Sequence, residues 1–473
     1  MIKTNMPNLE NEIQDVINVF FPSQEINLEH EERIENGKVI NFCKVHVLDN
    51  EFTASREDKI KGEYTKLEEK KYLKRFCKLC VYQALSKATK KSLPWGSLTG
   101  IRPTKVGYDL LENGVDKIIL KEVLKRDFFV SEQKASLVNE IIKNQNCIIK
   151  NDHLIDLYIN IPICPSKCSY CSFISSKYDA VKDVIDDYLN ALIKEIEAVK
   201  KLIFDKALIV RTIYVGGGTP SVLSATQIDL LLSHLNYPVN EFTFECGRAD
   251  TITREKLEVL KAHGVTRICI NPQTFCKKTL KLIGRNHTIE QVFEAYRLAL
   301  EYDFVVNMDF IAGLPEESFR TFKNTIKTAL EFAPHNITIH ALSLKKGGDL
   351  IGKTQVQTQG EEIAKMTEFA YTELKNAGYR PYYLYRQKNQ LDAQENVGYT
   401  QPNYTCIFNI DSMEETNTIM ACGANAITKR VYNDGGRIER CANVKMIEDY
   451  INRIDEMIER KISLFNWGCN ENF

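Results

Sequence analysis

The sequence predicts an α/β protein centred on an open, partial (β/α)6 barrel. An N-terminal α+β module (1–153) and a C-terminal α/β cap (346–473) flank it. Three observations predict this. Between residues 154 and 345, six short apolar runs alternate with longer stretches whose apolar residues recur at helical spacing. Six βα units in series imply parallel strands with right-handed crossovers, and six falls short of the eight that close a barrel. The most reactive side chains cluster where those strands end, which is where sheets of this kind bind ligands.

The 473 residues are enough for two or three domains, and a hydrophobic content of 44% supplies a real core. Lys plus Arg is 62 against 63 Asp plus Glu, a net charge of -1, which argues against a nucleic-acid footprint over the whole surface. No stretch approaches the roughly 18 uninterrupted apolar residues that cross a bilayer, so no membrane span is expected. Met1 to Phe21 mixes Glu, Asp and Asn into its apolar residues and lacks a signal-peptide layout. Fourteen cysteines without regular pairing suggest a reducing cytoplasm.

In the N-terminal module, Lys38 to Asn50 alternates well enough for a strand. Leu67 to Leu85 reads as a helix, with Leu73, Phe76, Cys77, Cys80, Val81 and Ala84 on one face, so the Cys77–Cys80 pair is expected in the core. The stretch Leu93-Pro-Trp-Gly-Ser-Leu-Thr-Gly-Ile-Arg-Pro-Thr-Lys105 is punctuated by Gly and Pro. It suits a connector whose Trp95 packs on a neighbour, or an anion lid carrying Arg102 and Lys105.

The core strands are expected at Leu154–Ile161, Ile209–Val215, Glu241–Cys246, Val265–Asn271, Phe304–Ile311 and Asn336–Leu344. Val184–Ile203 is an amphipathic helix, and Ser224–Gln227 and Thr288–Gln291 have the form of capping boxes. The first strand runs into a loop carrying Cys164, Cys168 and Cys171, and Pro162 and Pro165 keep that loop irregular. Three thiolates on one loop can hold three corners of a cubane iron–sulfur cluster. With Phe at position 173, no fourth cysteine stands nearby, which leaves one iron open to a ligand. Structural zinc is the rival reading, but it wants four N/S ligands, and His153 lies at the far end of the strand.

The other strands also end in chemistry. The second runs into Val215-Gly-Gly-Gly-Thr-Pro-Ser221, whose glycines let backbone amides approach a ligand. The third ends at Glu245, the fourth at Asn271-Pro-Gln273 with Arg285 twelve residues on, and the fifth carries Asp309 before Gly313-Leu-Pro315. One polar residue at a strand end is ordinarily a solvated cap; a set placed one per strand around a cysteine loop is a site.

This pattern, Tyr158-x-x-Ile-Pro-x-Cys-x3-Cys-x2-Cys171 with GGGTPS, the strand-end Glu, Pro-Gln with its Arg, and Asn307-x-Asp-x-Ile-x-Gly-Leu-Pro315, resembles the anaerobic coproporphyrinogen III oxidase-like group of radical S-adenosylmethionine (SAM) proteins. The resemblance covers roughly residues 150–345. It implies a [4Fe–4S] cluster on Cys164, Cys168 and Cys171, and SAM held by Gly217, Gly218, Thr219, Glu245, Gln273, Arg285 and Asp309, with Tyr158 lining the same pocket. It further implies a low-potential electron donor such as flavodoxin or ferredoxin, and a porphyrinogen substrate whose propionates are oxidatively decarboxylated to vinyls. Arg102, Lys105, Arg285 and Lys345 are candidate partners for those propionates.

Two departures qualify the resemblance. The decarboxylase pattern has a further cysteine where this chain has Phe173, and a heme-binding chaperone branch lacks it. The His-Asn-x-x-Tyr-Trp tail motif of that branch stands here as Glu395-Asn-Val-Gly-Tyr-Thr400, with Glu for His and Thr for Trp; a tetrapyrrole-binding or delivery protein is the alternative. In the tail, Glu361–Ala377 and Met446–Lys461 read as helices. Tyr379, Tyr382, Tyr383, Tyr385, Tyr399 and Tyr404 serve as core packing or as a wall for a macrocycle, and Met420–Ala426 forms a small-residue turn near the site.

Overall fold

The structure is a computed structural model that describes residues 1–21, 24–47, 50–60, 66–100, 102–173, 175–343, 360–386, 394–432 and 437–466. It falls into two compact units, Met1–Ile142 and Lys143–Phe473.

In the first unit, Ile2–Thr4 pairs parallel with Asn27–Glu35, followed by antiparallel Lys38–Val47 and Asn50–Lys59. Alternation along Lys38–Val47 turns Val39, Asn41, Cys43 and Val45 inward. Helices Glu10–Phe20 and Lys66–Thr89 cover that face. Cys77 and Cys80 are buried there among Ile13, Ile17, Cys43 and Val81, as their helical spacing requires. Desolvation pushes the Cys80 thiol up to about 12, so it stays protonated and inert. The Gly/Pro stretch begins with a packed turn: Trp95 is buried, and Gly96 adopts φ 53° where a Cβ would stand 2.0 Å from the Phe128 carbonyl oxygen. Helix Pro103–Glu112 follows, with its proline in the first turn.

In the second unit the six core strands lie at Leu154–Ile161, Ile209–Gly217, Glu241–Gly247, Arg267–Ile270, Val305–Ala312 and Asn336–Ala341. They pair in chain order, all parallel, so the (β/α)6 expectation holds and the sheet stays open. The expected end of the sixth strand at Leu344, and Lys345, lie outside the described residues. Helix Ile185–Asp205 buries Leu189, Leu192, Ile196 and Val199, and both capping boxes form with reciprocal bonds at Ser224/Gln227 and Thr288/Gln291.

The tail extends this sheet at both edges. Asn396–Thr400 pairs antiparallel with the sixth strand, and Arg380–Tyr385 lies beyond it. Thr418–Cys422 pairs parallel with the first strand, followed by Ile427–Val431 and Ile438–Ala442. The described sheet therefore has eleven strands. The expected terminal helix is two, Ile447–Asn452 and Ile454–Asn466, broken at Arg453, whose guanidinium forks onto Glu456 in the first turn of the second.

Buried ion pairs and their hydrogen bonds tie the tail to the core, among them Arg211 with Asp411 at 2.7 Å. Lys461, 1% exposed, donates to Glu195, 0% exposed. Glu195 also accepts from the Asn443 amide, the Tyr450 hydroxyl and the Gly423 backbone N–H. Every lone pair of that carboxylate is engaged, which is the condition for a buried charge to be tolerated. Arg267 pairs with Glu241 at 3.1 Å, and Glu241 caps the helix Ile407–Glu414 by accepting from the Ile407 and Phe408 N–H groups. Among the described residues no helix is long and apolar enough to cross a membrane.

Candidate functional site

The ends of the core strands open on one cavity of about 360 Å³. Its wall includes Cys164, Cys168 and Cys171, together with Gly217, Gly218, Thr219, Glu245, Gln273, Arg285 and Asp309. These residues are spread over 146 positions of sequence, from 164 to 309, and the parallel sheet brings them together because the strands and the segments that follow them open on the same side. Tyr158 is the exception. It does not line the cavity; its ring stacks on Tyr214 and Phe408, and its hydroxyl donates to Asn160 Oδ1 at 3.0 Å. Tyr214 takes the cavity position instead, one strand over and level with Tyr158 in the ladder.

The cysteine loop is closed by a two-residue parallel ladder, Ile163–Cys164 against Ser176–Lys177. It is fastened below by the Ser169 N–H donating to the Ile283 carbonyl (3.1 Å) and the Ser166 hydroxyl donating to that of Gly284 (3.4 Å). Burial pushes the Cys164 and Cys171 thiols up in the ligand-free cavity. Thr219 donates to Cys164 Sγ at 3.7 Å. Among the described residues no three His, Cys, Asp or Glu side chains converge on a point fit for one metal ion. Three thiolates spaced around a shared volume suit a cluster, where each binds a different iron.

The three glycines serve distinct purposes. A Cβ on Gly216 would sit 2.8 Å from Glu245 Oε2, and one on Gly218 would sit 2.5 Å from the Ile163 carbonyl oxygen. Gly217 adopts φ 111°, where a Cβ would stand 2.1 Å from Asn160 Oδ1. Gly217→Ala is therefore expected to destabilise residues 143–473 by about 1–3 kcal/mol, read as a fall in the denaturant midpoint of that unit.

Glu245 accepts from the Tyr214 hydroxyl and, at 3.3 Å, from the Gly217 N–H. Burial, with Asp309 across the cavity, pushes its carboxyl up to about 7. Desolvation raises the Asp309 carboxyl, yet His340, Asn307 and Thr338 outweigh it and hold Asp309 below the ordinary carboxylate value. His340 Nε2 stands 3.6 Å from Asp309 Oδ2, and Asn307 donates to Asp309 Oδ1 at 2.8 Å. Gln273 adopts a left-handed φ of 69°; its N–H donates to the Asp309 carbonyl, and its own carbonyl accepts from Ile311. That strained link between two strand ends is the kind a site maintains. Arg285 donates to the Asn271 carbonyl and lies against Cys168 and Tyr170.

Among the buried atoms of this wall that lack a hydrogen-bond partner within the described residues are Gln273 Oε1, Asn271 Oδ1 and Arg285 Nε. An orphaned donor and two orphaned acceptors in a cavity are costly unless a polar ligand meets them. Beside a carboxylate near neutrality and a second one that is ionised, they fit a small zwitterion with hydroxyl groups. The donor set therefore fits SAM, and the thiolates fit a cluster.

Asn307 of the quoted motif also lines the cavity, as do His340, Tyr214 and Arg248, which the sequence did not mark. Arg248 forks onto Asp250 (2.9 and 2.6 Å) and donates to Ser166 Oγ at 2.5 Å, bracing the cysteine loop. Period-2 spacing on the last two strands was the available signal: Asn307 and Asp309 share a face, as do Thr338 and His340. Of the tail tyrosines, Tyr383 and Tyr385 reach the cavity, while Tyr379, Tyr382 and Tyr399 are buried and Tyr404 is 37% exposed. The 420–426 segment packs behind the cavity, with Gly423 against the Asn160 carbonyl, and Cys422 is buried.

Comparison with known proteins follows the same lines. A model of the radical SAM superfamily matches residues 158–329. The oxygen-independent coproporphyrinogen-III oxidase-like protein HemZ of Bacillus subtilis (strain 168) is 35% identical over 481 residues, covering 96% of this chain and 95% of its own. The heme chaperone HemW of the same strain is 30% identical, covering 51% of this chain and 66% of its own. Among solved structures, coproporphyrinogen III oxidase (HemN) from Escherichia coli, a radical SAM enzyme, is similar in fold with a TM-score of 0.53 at 21% identity, covering 65% of this chain and 71% of its own. The chain belongs to the radical SAM superfamily, in the oxygen-independent coproporphyrinogen-III oxidase-like group, whose members use a [4Fe–4S] cluster and SAM.

Proposed function

We propose that this protein is a cytoplasmic radical SAM oxidoreductase that oxidatively decarboxylates the propionates of coproporphyrinogen III to vinyls without oxygen. The observation that carries the reading is the single cavity onto which three cysteines and Glu245, Gln273, Arg285 and Asp309 all open, with Gln273 Oε1 and Arg285 Nε left without partners. In this reading Cys164, Cys168 and Cys171 hold the cluster. When bound, cluster and SAM supply hydrogen-atom abstraction; the protein binds, orients and excludes water.

Glu245 faces the ammonium of SAM, Arg285 its carboxylate and Asp309 its ribose hydroxyls, while Gly217, Gly218 and Thr219 leave the backbone within reach of the methionine. His340, with Nε2 3.6 Å from Asp309 Oδ2, positions Asp309. Residues 346–473 form the substrate side, supported by Tyr383, Tyr385 and Asn409 in the cavity wall. Residues 1–153 are an accessory domain. A low-potential carrier such as flavodoxin or ferredoxin supplies the electron.

This assignment sets a pH dependence. With its carboxyl at about 7, Glu245 is largely protonated below that value in the ligand-free protein, and an ammonium must displace the proton. SAM affinity therefore rises with pH up to about 7, by at most about tenfold per unit, and levels off above it. Glu245→Gln removes the dependence and weakens binding by about 10- to 100-fold. Calorimetric titration with SAM one pH unit on either side of that value measures both effects.

The second reading, a tetrapyrrole-binding or delivery protein, is favoured by the identity with heme chaperones and by Phe173 in place of a further cysteine. Anaerobic incubation of the reduced, cluster-loaded protein with SAM and coproporphyrinogen III separates the two. Loss of CO₂ from the porphyrinogen supports the oxidoreductase; stoichiometric retention of unchanged tetrapyrrole supports delivery.

A further inference from the structure

We infer that the surface surrounding the cysteine loop is the landing site of a small acidic protein that carries single electrons; the inference rests on reading that loop as a cluster site. Two segments build this surface. Residues 162–178 carry the cysteines, and residues 274–289 contain the helix Lys277–Leu282, whose end fastens the loop through Ile283 and Gly284. In a chain of net charge -1, these two segments hold Lys167, Lys177, Lys277, Lys278 and Lys281 and no Asp or Glu.

All five lysines are exposed. Lys277 and Lys278 meet Glu290 and Glu316 at 3.6 and 2.6 Å, but those lysine side chains are 73% and 74% exposed, so the pairs leave the local field largely positive. Two large apolar side chains stand among the charges: Phe173, 71% exposed, two residues beyond the third cysteine, and Leu282, 40% exposed, at the end of the lysine helix. An apolar centre ringed by charge of one sign is the composition of a transient docking patch.

The charge has a specific purpose here. Three thiolates make a cluster site a concentration of negative charge, which repels an acidic carrier. The lysines of these two segments oppose that charge at the rim beside the cysteine loop, and so steer the carrier in. The step is a bare electron transfer. One electron leaves the reduced carrier, which is oxidised by one, and is accepted at the site held by the three cysteines; no bond or proton moves.

The test uses the cluster-loaded full chain and a flavodoxin as the probe. Two quantities are read against ionic strength: the affinity for oxidised flavodoxin, and the rate at which reduced flavodoxin bleaches the cluster absorbance. Lys278→Glu with Lys281→Glu is expected to weaken flavodoxin binding by about tenfold at low salt and to flatten its salt dependence. Bleaching by dithionite stays as in the unaltered protein. The neutral pair Lys278→Gln with Lys281→Gln falls between, which separates charge from any loss of folding.

Unchanged flavodoxin affinity and salt dependence, or an equal slowing with dithionite, overturns the inference. A protein that binds flavodoxin through these lysines but leaves SAM intact keeps the docking surface and sinks the reading of the cavity. One that cleaves SAM yet meets flavodoxin without these lysines does the reverse.

Discussion

Cys168→Ser is expected to strip the site of iron and bring SAM cleavage to background while leaving the fold intact. Cys168 is nearly buried, 9% exposed, at the middle of the loop and against the Arg285 guanidinium. A serine hydroxyl keeps the volume but is not deprotonated at neutral pH and is a poor ligand for iron, so one corner of the cluster loses its anchor. Outer partners of metal ligands already cost 10- to 100-fold when removed; loss of a ligand is expected to exceed about 100-fold in cleavage rate. Stability should barely change, because the loop is held by backbone bonds at Ser169, Cys171 and Ser176 that do not involve the thiol. Iron content per chain and 5′-deoxyadenosine yield check the first claim, and the denaturant midpoint of the iron-free proteins checks the second. Cys164→Ser and Cys171→Ser should behave alike.

Lys461→Met is expected to be the most destabilising of the changes considered, about 3–5 kcal/mol. It leaves Glu195 at 0% exposure with its counter-charge gone, still bonded to Asn443, Tyr450 and the Gly423 N–H. The damage should concentrate in residues 143–473, so denaturation followed by probes in both units should show one transition moving and the other fixed. Adding Glu195→Gln to Lys461→Met should recover part of the loss, because the uncompensated charge is then removed. The site should feel the change as well. Gly423 packs against the Asn160 carbonyl, and Asn160 is the residue whose Oδ1 stands where a Cβ on Gly217 would lie.

Much of the core was legible because its signals are local. Apolar runs of strand length, glycine and proline punctuation and two capping boxes put all six strands within a few residues of their observed bounds. The Cys164–Cys171 spacing and the Gly216–Gly218 run needed no tertiary knowledge either. What escaped depends on register. His340 looks like an isolated polar residue in an apolar strand. Only when Asp309 is level with Thr338, and Ile311 with His340, does the histidine come to face the Asp309 carboxylate. Tyr158 was misplaced for the same reason: the ladder sets it level with Tyr214, and Tyr214 reaches the cavity while Tyr158 stacks behind. The pairing of Glu195 with Lys461 was not legible, since nothing local tells that residues so far apart in sequence meet in the interior. The joining of Thr418–Cys422 to the first strand is equally non-local.

The central claim is that the cavity holds SAM against a cluster on Cys164, Cys168 and Cys171 and cleaves it. The most direct measurement is 5′-deoxyadenosine formation by the anaerobically reconstituted, reduced protein given SAM, with and without coproporphyrinogen III. The account predicts cleavage that requires all three cysteines and is stimulated by the porphyrinogen. Iron-loaded protein with the three cysteines intact that binds SAM and releases no 5′-deoxyadenosine would contradict it.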